Sequence, residues 1–198
     1  MECFVLAGGQ SRRFGEDKLL FSLGGKRVIE LVVSALKPVC SRLCLLTKEP
    51  EKFSFLSGVE VCKDLLQKQY ALAGLYSALR ELKGEKALVL AGDMPLIKPE
   101  VALYLWHRSR PPITVYNIKG KVYPLFGVYY KQVLEPLEEY IKTGGERLID
   151  FLEKTGYAEI KEEEIKDIDP KLLSFINLNT KEDLQAIIKS YEGDKGKD

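Results

Sequence analysis

Histidine is almost missing from this chain. His107 is the only one among 198 residues. That excludes a His-rich metal centre and leaves no Ser/His/Asp constellation for nucleophilic catalysis. Charge of one sign is missing too: 30 Lys and Arg against 29 Asp and Glu leave a net charge of +1. A one-sided positive field, which broad binding to nucleic acid or membrane requires, is therefore absent. No apolar run approaches the roughly 20 residues of a transmembrane helix. Met1-Glu2 is acidic and the apolar run behind it is too short for a signal peptide. The expectation is a cytoplasmic protein. The four cysteines, Cys3, Cys40, Cys44 and Cys62, form no CxxC pair, and three sit in apolar runs. Buried reduced thiols are the expected state. Asn and Gln are scarce while Lys and Glu abound, a composition in keeping with a thermophilic source.

With 45% hydrophobic residues the chain can bury a core, and its length suits one domain. Short, wholly apolar runs at residues 3–7, 43–46 and 87–91, and a shorter one at 59–62, read as strands buried on both faces. Helical patterns lie between them, at Val28–Leu36 and Leu72–Leu82, and after the fourth at Pro99–Arg108. Strands alternating with helices mean right-handed βαβ units. The fold expected is α/β: a single Rossmann-like domain with a mostly parallel central sheet flanked by helices. A small antiparallel part belongs to the second half. There, residues 113–117 and 122–130 suit a hairpin about Lys119-Gly120-Lys121, and two helices flank Thr143-Gly144-Gly145. Phe175–Leu178 reads as a late short strand, and Thr180 with Asp183 as a near capping box for the last helix. The domain is expected to span 1–191, with 192–198 a disordered tail.

The chemistry concentrates in Leu6-Ala7-Gly8-Gly9-Gln10-Ser11-Arg12-Arg13-Phe14-Gly15-Glu16-Asp17-Lys18. In an open parallel sheet, ligands sit beyond the carboxyl ends of the strands. A loop leaving the first strand with two glycines can bring backbone N–H groups against phosphate oxygens. Ser11, Arg12, Arg13 and Lys18 add a hydroxyl and three cations suited to a triphosphate. The glycine spacing is not G-x-G-x-x-G and no G-K-[ST] is present, so neither a dinucleotide-binding turn nor a Walker loop is formed. A plain βα turn remains the alternative. Gly92-Asp93-Met94-Pro95-Leu96 ends the fourth strand at the same sheet edge. Asp93 there is placed either to hold Mg²⁺ or to close the strand with an Asx turn. Asp64 follows the third strand in the same way, as a nucleotide contact or a solvated acid.

The pattern L-A-G-G-x-S-x-R-x-G-x-x-K resembles the signature of nucleotidyltransferases that activate cofactors and sugars. Together with Ala71–Leu75, Gly92–Leu96, and Asn177-Leu178-Asn179-Thr180 with Asp183-Leu184, it is similar to the molybdenum cofactor guanylyltransferase family over nearly the whole chain. Phe14 stands where Met is usual, and Tyr70-Ala71 replaces Gly-Pro. The resemblance implies Mg-dependent transfer of GMP from GTP to the phosphate of molybdopterin, with release of pyrophosphate. It implies catalytic roles for Lys18, Arg12, Arg13 and Asp93, with Mg²⁺ on Asp93. Nucleotide contacts fall on Leu6, Ala7, Gly8, Gly9, Ser11, Lys18, Asp64, Leu72, Ala73, Gly74 and Asp93. Gly8 and Gly74, lacking Cβ atoms, would leave room for a purine. Asn177 and Asn179, on one face of the late strand and away from the glycine loop, would meet the acceptor, as would Gly145 and Arg147. Alternatively the Asn pair only caps the final helix. A molybdenum-insertion protein and apo-molybdoenzymes are the implied protein partners. The rival readings are the same chemistry with CTP or a sugar-phosphate acceptor, and a non-catalytic nucleotide-binding protein.

Overall fold

A computed structural model describes residues 1–8, 17–66 and 71–195. Nine strands and six α-helices are formed among them. The strands are β1 (Glu2–Leu6), β2 (Ser22–Leu23), β3 (Lys26–Arg27), β4 (Arg42–Thr47), β5 (Glu60–Lys63), β6 (Lys86–Ala91), β7 (Ile113–Ile118), β8 (Lys121–Tyr130) and β9 (Ala158–Lys161). The helices are α1 (Val28–Leu36), α2 (Ala71–Glu81), α3 (Pro99–Arg108), α4 (Leu134–Lys142), α5 (Leu148–Thr155) and α6 (Lys181–Lys195).

Seven strands make one sheet in the order β5-β4-β1-β6-β8-β7-β9. β8 runs against β6 and β7, and every other pairing is parallel. Residue alternation divides the core. Cys3, Val5, Leu43, Leu45, Leu88 and Leu90 face α1 and α3, whereas Phe4, Leu6, Cys44, Leu46, Ala87 and Val89 face α2. Both faces are covered, which is why these strands read as continuous apolar runs. The first crossover carries the chain from β1 to β4, and α2 brings it back past β1 to β6. The order thus reverses beside β1, and a crevice opens there beyond the strand ends. The expected hairpin is present: Lys119 at φ 51° and Gly120 at φ 79° make the turn from β7 to β8.

Three features depart from the sequence reading. Phe175–Leu178 is not a strand: Leu173–Phe175 is a 3₁₀ turn, and Leu178 gives its N–H to the Asp93 carbonyl at 2.8 Å. Phe175 and Leu178 are buried, so the apolar pattern was real, but it seats a strap across the sheet edge. Cys3 and Cys40 are joined in a disulfide rather than held as thiols. The α1 crossover returns Cys40 beside the start of β1, a closeness that a separation of 37 residues does not announce. The small hairpin of β2 and β3, and the edge strand β9, had no clear sequence signal.

Candidate active site

The ends of β1, β4 and β6 are level. Leu6 pairs with Leu46 on one side and Ala91 on the other. Beyond this edge lies a cleft of about 180 Å³, lined by Ala7, Gly8, Lys18, Thr47, Lys48 and Asp93 among others. Gly92 closes its floor. A Cβ there would come within 3.3 Å of the Leu6 carbonyl and 3.2 Å of Ile29, so a larger residue would have to push its neighbours aside by a few tenths of an ångström.

Asp93 is the centre of a polar cluster. It is only 8% exposed. Lys18 Nζ donates to Asp93 Oδ2 at 2.5 Å and to Asn179 Oδ1 at 2.8 Å. Asn177 Nδ2 donates to Asp93 Oδ1 at 2.8 Å. The strap at 173–179 therefore lies against the strand end that carries the carboxylate. The separation expected from the sequence, with the Asn pair away from the residues flanking the glycine loop, does not hold. Asn177 and Asn179 join Lys18 and Asp93 in one network, because α6 and the strap fold back over the sheet edge. The capping box is also present: Thr180 Oγ1 accepts from Asp183 N–H at 3.1 Å, and Asp183 Oδ2 accepts from Thr180 N–H at 2.8 Å.

Two further links hold the strap. Ser174 Oγ accepts from Lys98 N–H at 3.0 Å, and Asp169 Oδ2 accepts from Ser174 N–H at 2.8 Å. Asp169 is fully buried and lies 3.5 Å from Lys98 Nζ. Sequence reasoning missed this anchor, since Asp169 sits in a charged stretch that reads as surface. It also missed Lys48, although its place just after β4 at the same sheet edge was a usable signal.

The other expected residues are distributed as follows. Asp64 takes its N–H to the Thr47 carbonyl at 2.7 Å, and the Ser77 hydroxyl lies 2.7 Å from its Oδ1. It lines a second pocket with Lys48, Lys63, Leu65 and Leu66. Leu72, Ala73 and Gly74 are buried on α2. A Cβ on Gly74 would come within 2.7 Å of Leu6 Cδ1. Its missing Cβ thus lets α2 sit close against Leu6 of β1. At Gly8 a Cβ would meet nothing within 4 Å. Gly145 and Arg147 lie between α4 and α5, where Arg147 ion-pairs with Asp150 at 3.4 Å, and neither lines the cleft. Gly9, Ser11, Arg12, Arg13, Phe14 and Tyr70 fall outside the described residues. His107 is exposed on α3, and Arg27 stacks on the Phe55 ring at 3.8 Å.

A doubly wound sheet with a lysine and a carboxylate at its switch point is the frame of an enzyme that works on nucleoside triphosphates, a nucleotidyltransferase. Residues 3–157 match the MobA-like NTP transferase domain, and the chain belongs to that family. It is 42% identical over 187 residues to a probable molybdenum cofactor guanylyltransferase of Aquifex aeolicus, covering 94% of this chain and 89% of the relative. A protein of the same description from Natranaerobius thermophilus is 33% identical, over 93% of each chain. The crystal structure of molybdopterin-guanine dinucleotide biosynthesis protein A from Archaeoglobus fulgidus superposes with a TM-score of 0.85 at 28% identity, covering 98% of this chain and all of that one.

Proposed function

We propose that this enzyme transfers GMP from GTP to the terminal phosphate of molybdopterin, releasing pyrophosphate and giving the guanine dinucleotide cofactor. The observation that carries the reading is the Lys18–Asp93 pair held by Asn177 and Asn179 at the cleft. The acceptor phosphate attacks the α-phosphorus, and the bond to the bridging oxygen of the β-phosphate breaks. A phosphate monoester is largely dianionic at pH 7, with a second pKa of about 6, so no general base is needed. A near absence of histidine suits such chemistry. Catalysis then rests on positioning and charge neutralisation.

The donor set at Asp93 fits Mg²⁺, a hard cation that takes one or two carboxylates and completes its shell with phosphate oxygens and water. Mg²⁺ held by Asp93 would neutralise charge on the donor phosphates. Asn177, donating to Oδ1, orients the carboxylate. Lys18 exchanges its bond to Asp93 for the phosphates and offsets charge on the leaving pyrophosphate, aided by Arg12 and Arg13. Asp64 and the backbone at Leu6–Gly9 and Leu72–Gly74 serve the nucleotide, with Ser11. Asn179, Gly145 and Arg147 serve the acceptor. The catalytic unit includes α6, which runs to Lys195 and so passes the boundary at 191 and enters the tail expected from the sequence; a molybdenum-insertion protein and apo-molybdoenzymes are its partners before and after transfer. We place it in the cytoplasm. No helix among the described residues is long and apolar enough to cross a membrane. A disulfide such as Cys3–Cys40 is rare in a reducing cytoplasm and is found there in hyperthermophiles.

Pyrophosphate release, measured for the four nucleoside triphosphates with and without molybdopterin, tests the proposal. Release with GTP that depends on molybdopterin is expected. An equal or greater rate with CTP would assign cytidylyl transfer instead. Release only with a sugar phosphate would reassign the acceptor, and release with none would leave a nucleotide-binding protein.

A further inference from the structure

Cys44, Cys62 and Glu60 take no part in the cleft. Cys44 on β4 is paired in register with Glu60 on β5, so both side chains leave the same face of the sheet. Cys62 follows two residues later and returns to that face. Cys44 Sγ lies 2.8 Å from Cys62 Sγ. The two sulfurs and a Glu60 carboxylate oxygen all lie within 4.8 Å of one another. Among the described residues, no other three His, Cys, Asp or Glu side chains are gathered in this way. We propose that Cys44, Cys62 and Glu60 bind one thiophilic divalent cation of the zinc class at the β4–β5 edge, apart from Asp93.

The ligand set selects the metal. Thiolates favour zinc and its soft analogues over Mg²⁺, and a carboxylate is an accepted third ligand. Binding forms two metal–sulfur bonds and releases the two thiol protons to solvent, with no change of oxidation state. Two thiolates, one carboxylate and a divalent cation leave a charge of minus one. Arg42 offsets part of it: its Nε and Nη2 both donate to Glu60 Oε2, at 2.9 and 2.7 Å, while it also pairs with Glu2 and Glu81 at 3.4 and 3.7 Å. Glu60 Oε1 accepts no hydrogen bond among the described residues, so it remains available to a cation. Cys44 is buried while the Glu60 side chain is 51% exposed, which leaves the outer side of the site open to a water ligand.

A disulfide is the competing fate of two close thiols. The two are not directly opposed in the ladder: Cys62 pairs with Leu46, so the cysteines are diagonal neighbours, and their sulfurs stand at 2.8 Å rather than at the roughly 2.0 Å of an S–S bond. A metal bridge is longer: with metal–sulfur bonds of about 2.3 Å, the sulfurs need only part to about 3.8 Å. Binding displaces the thiol protons, so affinity rises with pH and is lost in acid.

The test uses the full chain, metal-free and under argon, titrated with Co²⁺ or Cd²⁺. A thiolate-to-metal absorption band saturating at one equivalent is expected. Cys62→Ser, at a half-buried position, should melt cooperatively and lose the band, and Glu60→Gln should raise the dissociation constant. Asp93→Asn should leave the titration unchanged. Cys3 and Cys40 are tied in their disulfide and contribute no ligand. Absence of the band, its survival in Cys62→Ser, or a Cys44–Cys62 disulfide in non-reducing peptide maps of the native chain would overturn the assignment.

Discussion

Lys18 and Asp93 meet at 2.5 Å although 75 residues separate them in sequence. Their side chains are 18% and 12% exposed, so the pair is shielded from water and from salt. Such a pair holds a cation at the cleft before any phosphate arrives, which is the preorganisation that electrostatic catalysis needs.

Lys18→Ala should lower kcat by about a hundredfold, the scale of one lost transition-state donor. Asp93 would keep its bond from Asn177 but lose its counter-charge, which costs about 1–3 kcal/mol of stability. The variant should still unfold cooperatively. Turnover within a few-fold of the parent, in a folded variant, would remove Lys18 from the reaction.

Asp93→Asn should raise the Mg²⁺ concentration at half-maximal turnover more than it weakens metal-free nucleotide binding. The amide keeps a partner for Asn177 but offers a hard cation no charge. A magnesium titration of both proteins decides the matter. The same half-saturation in each means that the metal sits elsewhere.

Asn177→Ala and Asn179→Ala should disturb nucleotide chemistry as well as acceptor binding. Asn177 orients the carboxylate and Asn179 accepts from Lys18. Partners of this kind are worth roughly 10–100-fold in metal affinity or activity. Asn177→Ala should therefore shift the Mg²⁺ half-saturation, which a residue serving only the acceptor would leave alone. KM for GTP and for molybdopterin, measured separately, would expose the second case: only the molybdopterin value would move.

The parallel half of the fold was legible because buried strands are short apolar runs and each helix between them carries an apolar stripe. Lys18 and Asp93 were legible because each follows a strand at the sheet edge where ligands collect. The strap was not. Phe175-Ile176-Asn177-Leu178 reads as a short apolar strand, and nothing local shows that Leu178 bonds to Asp93 rather than to a ladder. The disulfide and the Asp169 anchor escaped for the same reason: each joins residues brought together only by the crossover or the strap. Gly74 was seen as special, but the neighbour that requires glycine, Leu6, is a tertiary fact.

Gly74→Ala should destabilise the protein despite improving helix propensity. Alanine gains about 1 kcal/mol over glycine in a helix interior. Against this, the new Cβ would come within 2.7 Å of Leu6 Cδ1, and Leu6 is only 7% exposed. Overpacking of this kind costs about 1–3 kcal/mol, so the loss should win. In a Leu6→Ala background the clash is gone and the same substitution should stabilise. A double-mutant cycle by denaturant unfolding reads the change of sign. Equal effects in both backgrounds would mean that Leu6 is not what Gly74 accommodates.

Asp169 should act as a positioning residue for the strap. Its carboxylate takes the Ser174 N–H, and Ser174 in turn takes the Lys98 N–H at the head of α3. Asp169→Ala leaves the buried Ser174 N–H without its acceptor. Lys98 is affected less, because its side chain is 36% exposed and water can replace the lost charge. Leaving the buried Ser174 N–H unsatisfied costs about 1–3 kcal/mol. Asp169→Asn retains an oxygen for Ser174 N–H and should cost less. If the anchor also sets Asn177 against Asp93, Asp169→Ala assayed well below its melting temperature should show a raised Mg²⁺ half-saturation, and Asp169→Asn should restore most of it. A loss of stability in Asp169→Ala with an unchanged Mg²⁺ titration would confine Asp169 to holding the fold.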